Sequence, residues 1–211
     1  DFGNPILDSY GLDSLYGNGV KNILGRAAEH VLCFSKGEAG DNYERTADQY
    51  YYEDQGDYYA HSSWFDDLMN FGGGGFALPF DINEQWLKIQ TNKQSEWRIY
   101  SRTFANEALS FGTLNGELTL DGINLGSDNI NIDGTAYNNA QVVNYRFKFV
   151  GSAQTQFGNI PLNLERTFTN WYVNGIGKVR TFMNPMPFKV QGLADQIIPG
   201  FELRLYKSKT N

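Results

Sequence analysis

Apolar and polar side chains alternate without a break over residues 143–149, and this two-residue period constrains the fold more than any other feature of the sequence. Successive side chains of a β-strand point to opposite faces of its sheet, so the pattern indicates a strand with one buried face. Similar alternation before and after this segment predicts an antiparallel β-sheet over residues 76–207. The apolar positions of the clearest strand are Val143, Tyr145, Phe147 and Phe149, and the polar ones are Asn144, Arg146 and Lys148.

The dipeptide Asp121-Gly122 lies between two short apolar runs and predicts a tight turn. Two-residue hairpin turns favour Asp-Gly because both positions tolerate a positive φ. We therefore expect residues 118–120 and 123–125 to form the two strands of a hairpin.

Before residue 76 the apolar side chains recur at a spacing closer to that of a helix. The clearest example is residues 20–35, where Asn18 can cap the start and Gly37 can end the element. A second, shorter helix is predicted from Trp64 to about Phe71, where a run of glycines follows.

These patterns together predict an α+β fold that is predominantly antiparallel β, in which N-terminal helices cover a β-meander. A length of 211 residues fits one domain over residues 1–211. Its helical, acidic and tyrosine-rich part covers residues 1–75, and its antiparallel sheet covers residues 76–207. The helices are expected to lie on the sheet because an apolar sheet face needs a cover. A β-sandwich or a barrel is the alternative.

The composition argues against several classes of protein. No apolar run approaches the roughly 18 residues that a membrane-spanning helix needs. The sequence pI of about 4.8 argues against nucleic acid as a partner, because an acidic protein repels phosphate. Cys33 is the only cysteine, so no disulfide can form within the chain, and its apolar neighbours predict a buried, inert thiol.

Charge is distributed unevenly along the chain. Residues 1–67 carry 13 acidic and 4 basic side chains, a balance of −9, whereas residues 140–211 carry 3 acidic and 9 basic ones, a balance of +6. Such asymmetry indicates either that the two ends lie against each other or that they face different partners.

Residues 38–60 are acidic, tyrosine-rich and irregular in pattern, which predicts a long loop. The stretch with the widest functional scope is residues 43–64, where aromatic and acidic side chains are interleaved. Tyrosine and tryptophan are enriched in protein interfaces, and aromatic faces also stack on sugar rings. The alternative is that these rings pack on the sheet, because so many tyrosines are not readily exposed to water. The candidate ligand-binding residues are Tyr50, Tyr51, Tyr52, Tyr58, Tyr59 and Trp64.

Calcium is the metal that the acidic side chains Glu53, Asp54 and Asp57 would suit, because Ca²⁺ binds carboxylate and carbonyl oxygens. The alternative is a solvated acidic loop, and no other cofactor is predicted. The sequence contains no hydrolase elbow, zinc-protease helix motif or phosphate-binding loop, so no catalytic residue is assigned.

Residues 171–180 resemble a segment of many bacterial secreted and lipoprotein β-sheet domains of unknown function. In those domains an aromatic pair precedes Gly-x-Gly-x-Val and a basic residue, as Trp171-Tyr172 precede Gly175, Gly177, Val179 and Arg180 here. The likeness covers about residues 76–183, and it implies an antiparallel sheet and an exported protein without implying any activity. The two glycines also predict a tight turn or a bulge between two strands.

The resemblance implies a location in the periplasm, at the outer membrane through an anchor, or outside the cell. Because the sequence begins at Asp1 and not at Met, we expect a preceding segment. A signal peptide or a leader with a lipid anchor is one candidate for that segment, and an expression tag is the other.

Three functions follow from these observations. The first is a non-enzymatic bacterial envelope or secreted protein that binds or scaffolds a protein or a glycan through its acidic, aromatic N-terminal surface. The second is a carrier that holds an apolar ligand in a half-barrel. The third is a carbohydrate-active enzyme, which would need two carboxylates facing each other across a cleft.

Overall fold

A computed structural model of the protein describes residues 12–36, 42–64, 82–109, 112–156, 158–188, 196–198 and 200–205. Every element of regular structure with defined bounds in these ranges is a β-strand. No helix in them is long and apolar enough to cross a membrane. The strands are β1 (Leu12–Ile23), β2 (Arg26–Lys36), β3 (Glu44–Asp54), β4 (Asp57–His61), β5 (Trp86–Gln90), β6 (Glu96–Leu109), β7 (Gly112–Ile132), β8 (Thr135–Thr155), β9 (Gly158–Val173), β10 (Gly177–Met183), β11 (Met186–Phe188), β12 (Gln196–Ile198) and β13 (Phe201–Arg204).

The predicted α+β fold with N-terminal helices is wrong, because residues 20–35 form most of a β-hairpin made by β1 and β2. Leu24 and Gly25 turn the chain with φ values of 47° and 75°, and Ile23 pairs with Arg26 across the turn. Two consecutive positive φ angles are those of the type I′ turn that joins twisted strands. Of the second predicted helix, Trp64 has helical backbone, as does Ser63 before it, and residues 65–71 lie outside the described residues.

The predicted loop over residues 38–60 is also wrong in its described part. Residues 44–61 form a second hairpin, β3 and β4, whose turn at Gln55 and Gly56 has φ values of 54° and 81°. Tyrosine favours strands because its ring packs well on a pleated surface, and β3 and β4 contain five tyrosines at positions 50–52 and 58–59.

The described residues form two compact units, which are residues 12–36, 42–64 and 82–87 in the first and the remainder in the second. The first unit holds most of a five-stranded sheet of order β1-β2-β3-β4-β5. Its hairpin neighbours pair antiparallel, which leaves β1 at one edge. The prediction of one domain over residues 1–211 stays a prediction.

The second unit contains a six-stranded sheet of order β13-β10-β9-β8-β7-β6 and a small pair, β11 and β12. All described pairs in it are antiparallel, as the two-residue period predicts. The alternation along β8 is confirmed, because its four apolar positions are all buried. They are Val143, Tyr145, Phe147 and Phe149.

The predicted hairpin at Asp121-Gly122 is wrong, because both residues lie in the middle of β7, a single strand of 21 residues. The chain turns instead at Asp133 and Gly134, with φ values of 48° and 88°. Asp121 is buried and forms ion pairs with Arg98 on β6 and Arg146 on β8. These contacts hold it in an extended strand.

The glycines of residues 171–180 do form a turn, as their pattern predicts. β9 ends at Val173, which pairs with Gly177 at the start of β10. Gly175 and Gly177 have φ values of 75° and 96°, a region that favours glycine. The register also shifts between Lys178 and Arg180, just beyond these glycines.

Candidate functional site

Six rings contact one another in a continuous row on one face of the first unit, and we call this row the aromatic chain. It runs over strands β2 to β5. In order its members are His30, Tyr50, His61, Trp86, Tyr52 and Tyr59, with neighbouring ring centroids 4.9, 5.9, 5.8, 4.6 and 4.6 Å apart. Stacked and edge-to-face pairs at these distances each add stabilisation beyond the area that they bury, typically about 0.5–1.5 kcal/mol.

Strand register explains why the rings meet. His30 lies directly opposite Tyr50 in the β2–β3 pair, and Tyr52 lies directly opposite Tyr59 in the β3–β4 pair. Directly opposed residues share a sheet face, and so do residues two apart on one strand such as Tyr50 and Tyr52. The aromatic chain is therefore a consequence of two hairpin turns that set the register.

His30 is the most enclosed member of the aromatic chain, with 1% of its surface exposed. The Nδ1 atom lies 3.1 Å from the side-chain amide nitrogen of Asn18. An amide nitrogen only donates, so Nδ1 accepts this hydrogen bond. Nε2 lies 3.2 Å from Oδ1 of Asp48, an ion-pair distance.

Asp48 links this buried histidine to the surface. A hydrogen bond from Arg45 holds the pKa of the Asp48 carboxyl below its usual value, with a smaller contribution from His30, although burial opposes both. Since the folded pKa is depressed, the carboxylate stabilises the fold at pH values above its unfolded pKa. That stabilisation is lost as the pH falls through the folded pKa.

His61 forms a local turn with Ser63. Its Nδ1 accepts the backbone N–H of Ser63 at 3.3 Å and lies 3.1 Å from the Ser63 hydroxyl oxygen. The same hydroxyl is within 3.4 Å of the backbone carbonyl of Asp48, to which it donates. A serine used as a nucleophile needs its proton directed at a base, whereas this hydroxyl directs its proton at a backbone carbonyl.

The structure divides the predicted aromatic site residues. Tyr50, Tyr52 and Tyr59 belong to the aromatic chain, whereas Tyr51 alternates to the opposite face, where its hydroxyl donates to the Gln49 side chain. The two remaining residues differ in exposure. They are Tyr58, which is 45% exposed, and Trp64, which is 6% exposed.

The three carboxylates predicted to suit calcium are not brought together as a ligand set. Glu53 accepts the backbone N–H of Gly56 in the turn, and Asp54 lies 4.0 Å from Arg26. Asp57 is buried. Among the described residues, no group of three or more histidine, cysteine, aspartate or glutamate side chains is placed to hold a metal ion.

The sequence interpretation missed His30, Asn18 and Trp86 as site residues. A helix over residues 20–35 would separate His30 from Tyr50, and only the turn at Leu24 and Gly25 aligns the two. Trp86 comes from a separate strand. His30 lies two residues after the buried Ala28 on the same strand face, a relation that is visible only once residues 26–36 are known to form a strand.

Edge strand β1 exposes apolar side chains to an unusual degree. Exposed fractions are 60% for Leu15, 60% for Tyr16 and 67% for Val20, and Leu24 in the following turn is 50% exposed. Leu15 and Tyr16 are adjacent and point to opposite faces, so the edge strand exposes large apolar side chains on both faces. Exposed apolar surface of this extent is typical of interaction sites. Strand β1 is therefore a second candidate surface, beside the aromatic chain.

Cations occupy the flanks of the aromatic chain. Lys21 Nζ lies 5.9 Å from the centre of the Tyr50 ring, and the Arg26 guanidinium lies 5.4 Å from that of Tyr52. Cations over ring faces are attracted by the ring quadrupole. The ring faces of Tyr50 and Tyr52 are therefore largely engaged within the first unit itself.

Comparison with known proteins adds no relative from which a role could be transferred. The resemblance of residues 76–183 to bacterial secreted and lipoprotein domains stays a prediction. No protein-family model, no curated protein and no solved structure matches this chain.

Proposed function

We propose that this chain is a non-enzymatic binding protein of the bacterial envelope or exterior, and that its edge strand β1 binds an extended segment of another protein. The observation that carries the proposal is the exposure of Leu15, Tyr16 and Val20, each at least 60% exposed on a strand that lies at the edge of its sheet. An edge strand offers unpaired backbone N–H and C=O groups to an incoming strand, and its side chains supply specificity.

The first half of β1 is the part best suited to pair with such a segment. Residues 12–17 pair with β2 in an unbroken register, which makes this half of the strand regular. After Gly17 the register shifts, and Gly19 has a φ of 76°, so the strand bends there. We expect the partner to pair with the regular half and to contact Val20 with its side chains.

Charge favours a partner segment that contains lysine or arginine. Residues 1–67 carry a balance of −9. A field of this sign raises the rate of encounter with a cationic partner and slows encounter with an anionic one. The association should therefore weaken as salt concentration rises.

A glycan partner has weaker support than a protein partner. Stacking on a sugar needs an open ring face, and in the aromatic chain Tyr52 stacks on Tyr59 with an interplanar angle of 4°. Arg26 lies over the Tyr52 ring as well. The aromatic chain is better understood as the packing that holds β2 to β5 in register behind the exposed edge.

Site-specific photo-crosslinking in cells that make the protein tests the proposal. A photo-reactive amino acid at Val20 should yield a discrete protein adduct, whereas the same group at Val150, which is 49% exposed on β8, should not. Leu15→Lys should reduce the Val20 adduct severalfold. The proposal is wrong if Val20 gives no adduct, or if both positions give the same set of adducts.

A further inference from the structure

Two polar side chains lie opposite each other on the buried face of the second unit. Asn170 on β9 pairs directly with Thr181 on β10, and they are 2% and 4% exposed. Directly opposed residues on one sheet face have Cβ atoms about 5 Å apart. Their neighbours on this face include Phe168 and Met183, which are also buried.

One oxygen of each side chain has no hydrogen-bond partner among the described residues. These atoms are Oδ1 of Asn170 and Oγ1 of Thr181. A buried polar atom that is left unpaired destabilises a protein by about 1–3 kcal/mol, so native structures rarely retain two side by side. Their juxtaposition therefore points to a third group that joins them.

A chain of hydrogen bonds fixes which Asn170 atom is unpaired. The Tyr145 hydroxyl donates to the backbone carbonyl of Ile89 at 2.8 Å, which uses its only proton. The Tyr172 hydroxyl, 2.9 Å away, must therefore donate to Tyr145. The Tyr172 oxygen then accepts from Nδ2 of Asn170 at 2.9 Å. Rotating the Asn170 amide by 180° would place Oδ1 against the Tyr172 oxygen, whose only proton is already donated to Tyr145.

The Tyr172 proton is held in place by its surroundings. Burial raises the pKa of the Tyr172 phenol above its ordinary value, although hydrogen bonds with Tyr145 and Asn170 oppose the shift. The phenol therefore stays protonated at neutral pH, and each hydrogen bond in the series keeps its direction. Oδ1 of Asn170 is then an acceptor that needs a donor.

We infer that Asn170 and Thr181 bind a hydroxyl group between them. The bound group donates its one proton to Oδ1 of Asn170 and accepts a hydrogen bond from the Oγ1 hydroxyl of Thr181. A hydroxyl satisfies both atoms without adding charge to this apolar face. It belongs either to an ordered water molecule or to the alcohol end of an apolar ligand that lies on the face.

The effect of a Thr181 substitution on stability shows whether the site holds a hydroxyl. If a hydroxyl joins the two residues, Thr181→Val leaves it with one partner fewer and should raise the unfolding equilibrium constant roughly fivefold. If the Thr181 hydroxyl has no partner, the same change removes a buried, unpaired polar group and leaves the stability equal or higher. Thr103→Val, at an exposed position of β6, is the matched control and should change the constant by less than about twofold.

A crystal structure of the purified full chain shows the hydroxyl directly and identifies its source. We expect an oxygen within hydrogen-bonding distance of both Oδ1 of Asn170 and Oγ1 of Thr181. Isolated density identifies water, whereas continuous density with an organic-extractable alcohol in the mass spectrum identifies a ligand. Well-ordered side chains with no such oxygen, or a Thr181→Val variant as stable as the parent, would overturn the inference.

Discussion

Gly122→Ala is expected to destabilise the protein by about 3 kcal/mol, at the upper end of what overpacking costs. A Cβ on Gly122 would overlap Cζ2 and Cε2 of the Trp97 indole and would lie 2.9 Å from Cη2. Trp97 has little freedom to move aside, because it is 5% exposed and its Nε1 donates to the Lys88 carbonyl at 2.8 Å. Urea unfolding at equilibrium measures the change.

Two controls make the Gly122 result specific. Gly17→Ala adds the same methyl group where no atom lies within 4 Å and φ is not positive, so it should cost less than about 0.5 kcal/mol. In a Trp97→Leu background, Gly122→Ala should cost less than it does in the parent, because the clashing ring is gone. A neutral Gly122→Ala would show that Trp97 does not pack on this glycine.

Trp64→Ala is expected to lower the free energy of unfolding by about 3 kcal/mol, the cost of deleting a buried aromatic side chain. Trp64 is 6% exposed, so its substitution removes packing and leaves a cavity. Tyr58→Ala is the matched control, since this tyrosine is 45% exposed and its loss should cost less than about 0.5 kcal/mol.

The same two variants separate packing from binding in the aromatic stretch. Thermal and urea unfolding of both variants should place Trp64 in the packed interior and Tyr58 at the surface. Equal and small losses of stability would contradict this division and would return Trp64 to the set of surface residues open to a partner.

The sheet of the second unit was predictable because its evidence is local. The alternation along residues 143–149 indicates burial on one face, and the glycines at 175 and 177 indicate a turn. Neither signal depends on distant parts of the sequence. The error at Asp121-Gly122 shows the limit of such signals. At that position a glycine leaves room for the ring of Trp97, which lies on another strand and is 25 positions away in sequence.

The first unit could not be predicted in the same way. Its apolar side chains between residues 20 and 35 fit a helical spacing, and the turn that overrides it is Leu24-Gly25, a weaker signal than Asn-Gly or Asp-Gly. Without that turn the register of β2 on β3 is unknown. The pairing of His30 with Tyr50 depends on that register. The sequence therefore indicates three tyrosines of the aromatic chain as candidates but cannot predict that the six rings meet.

Amide hydrogen exchange can show whether edge strand β1 receives a partner strand. Once photo-crosslinking at Val20 has identified the partner, that protein is added in excess. The alternate amides of residues 14–17 that point away from β2 should then gain protection of at least tenfold, because their new inter-strand hydrogen bonds must open before exchange. The gain should shrink at high salt. If the partner binds and the exchange rates of β1 are unchanged, β1 is not the strand that receives it.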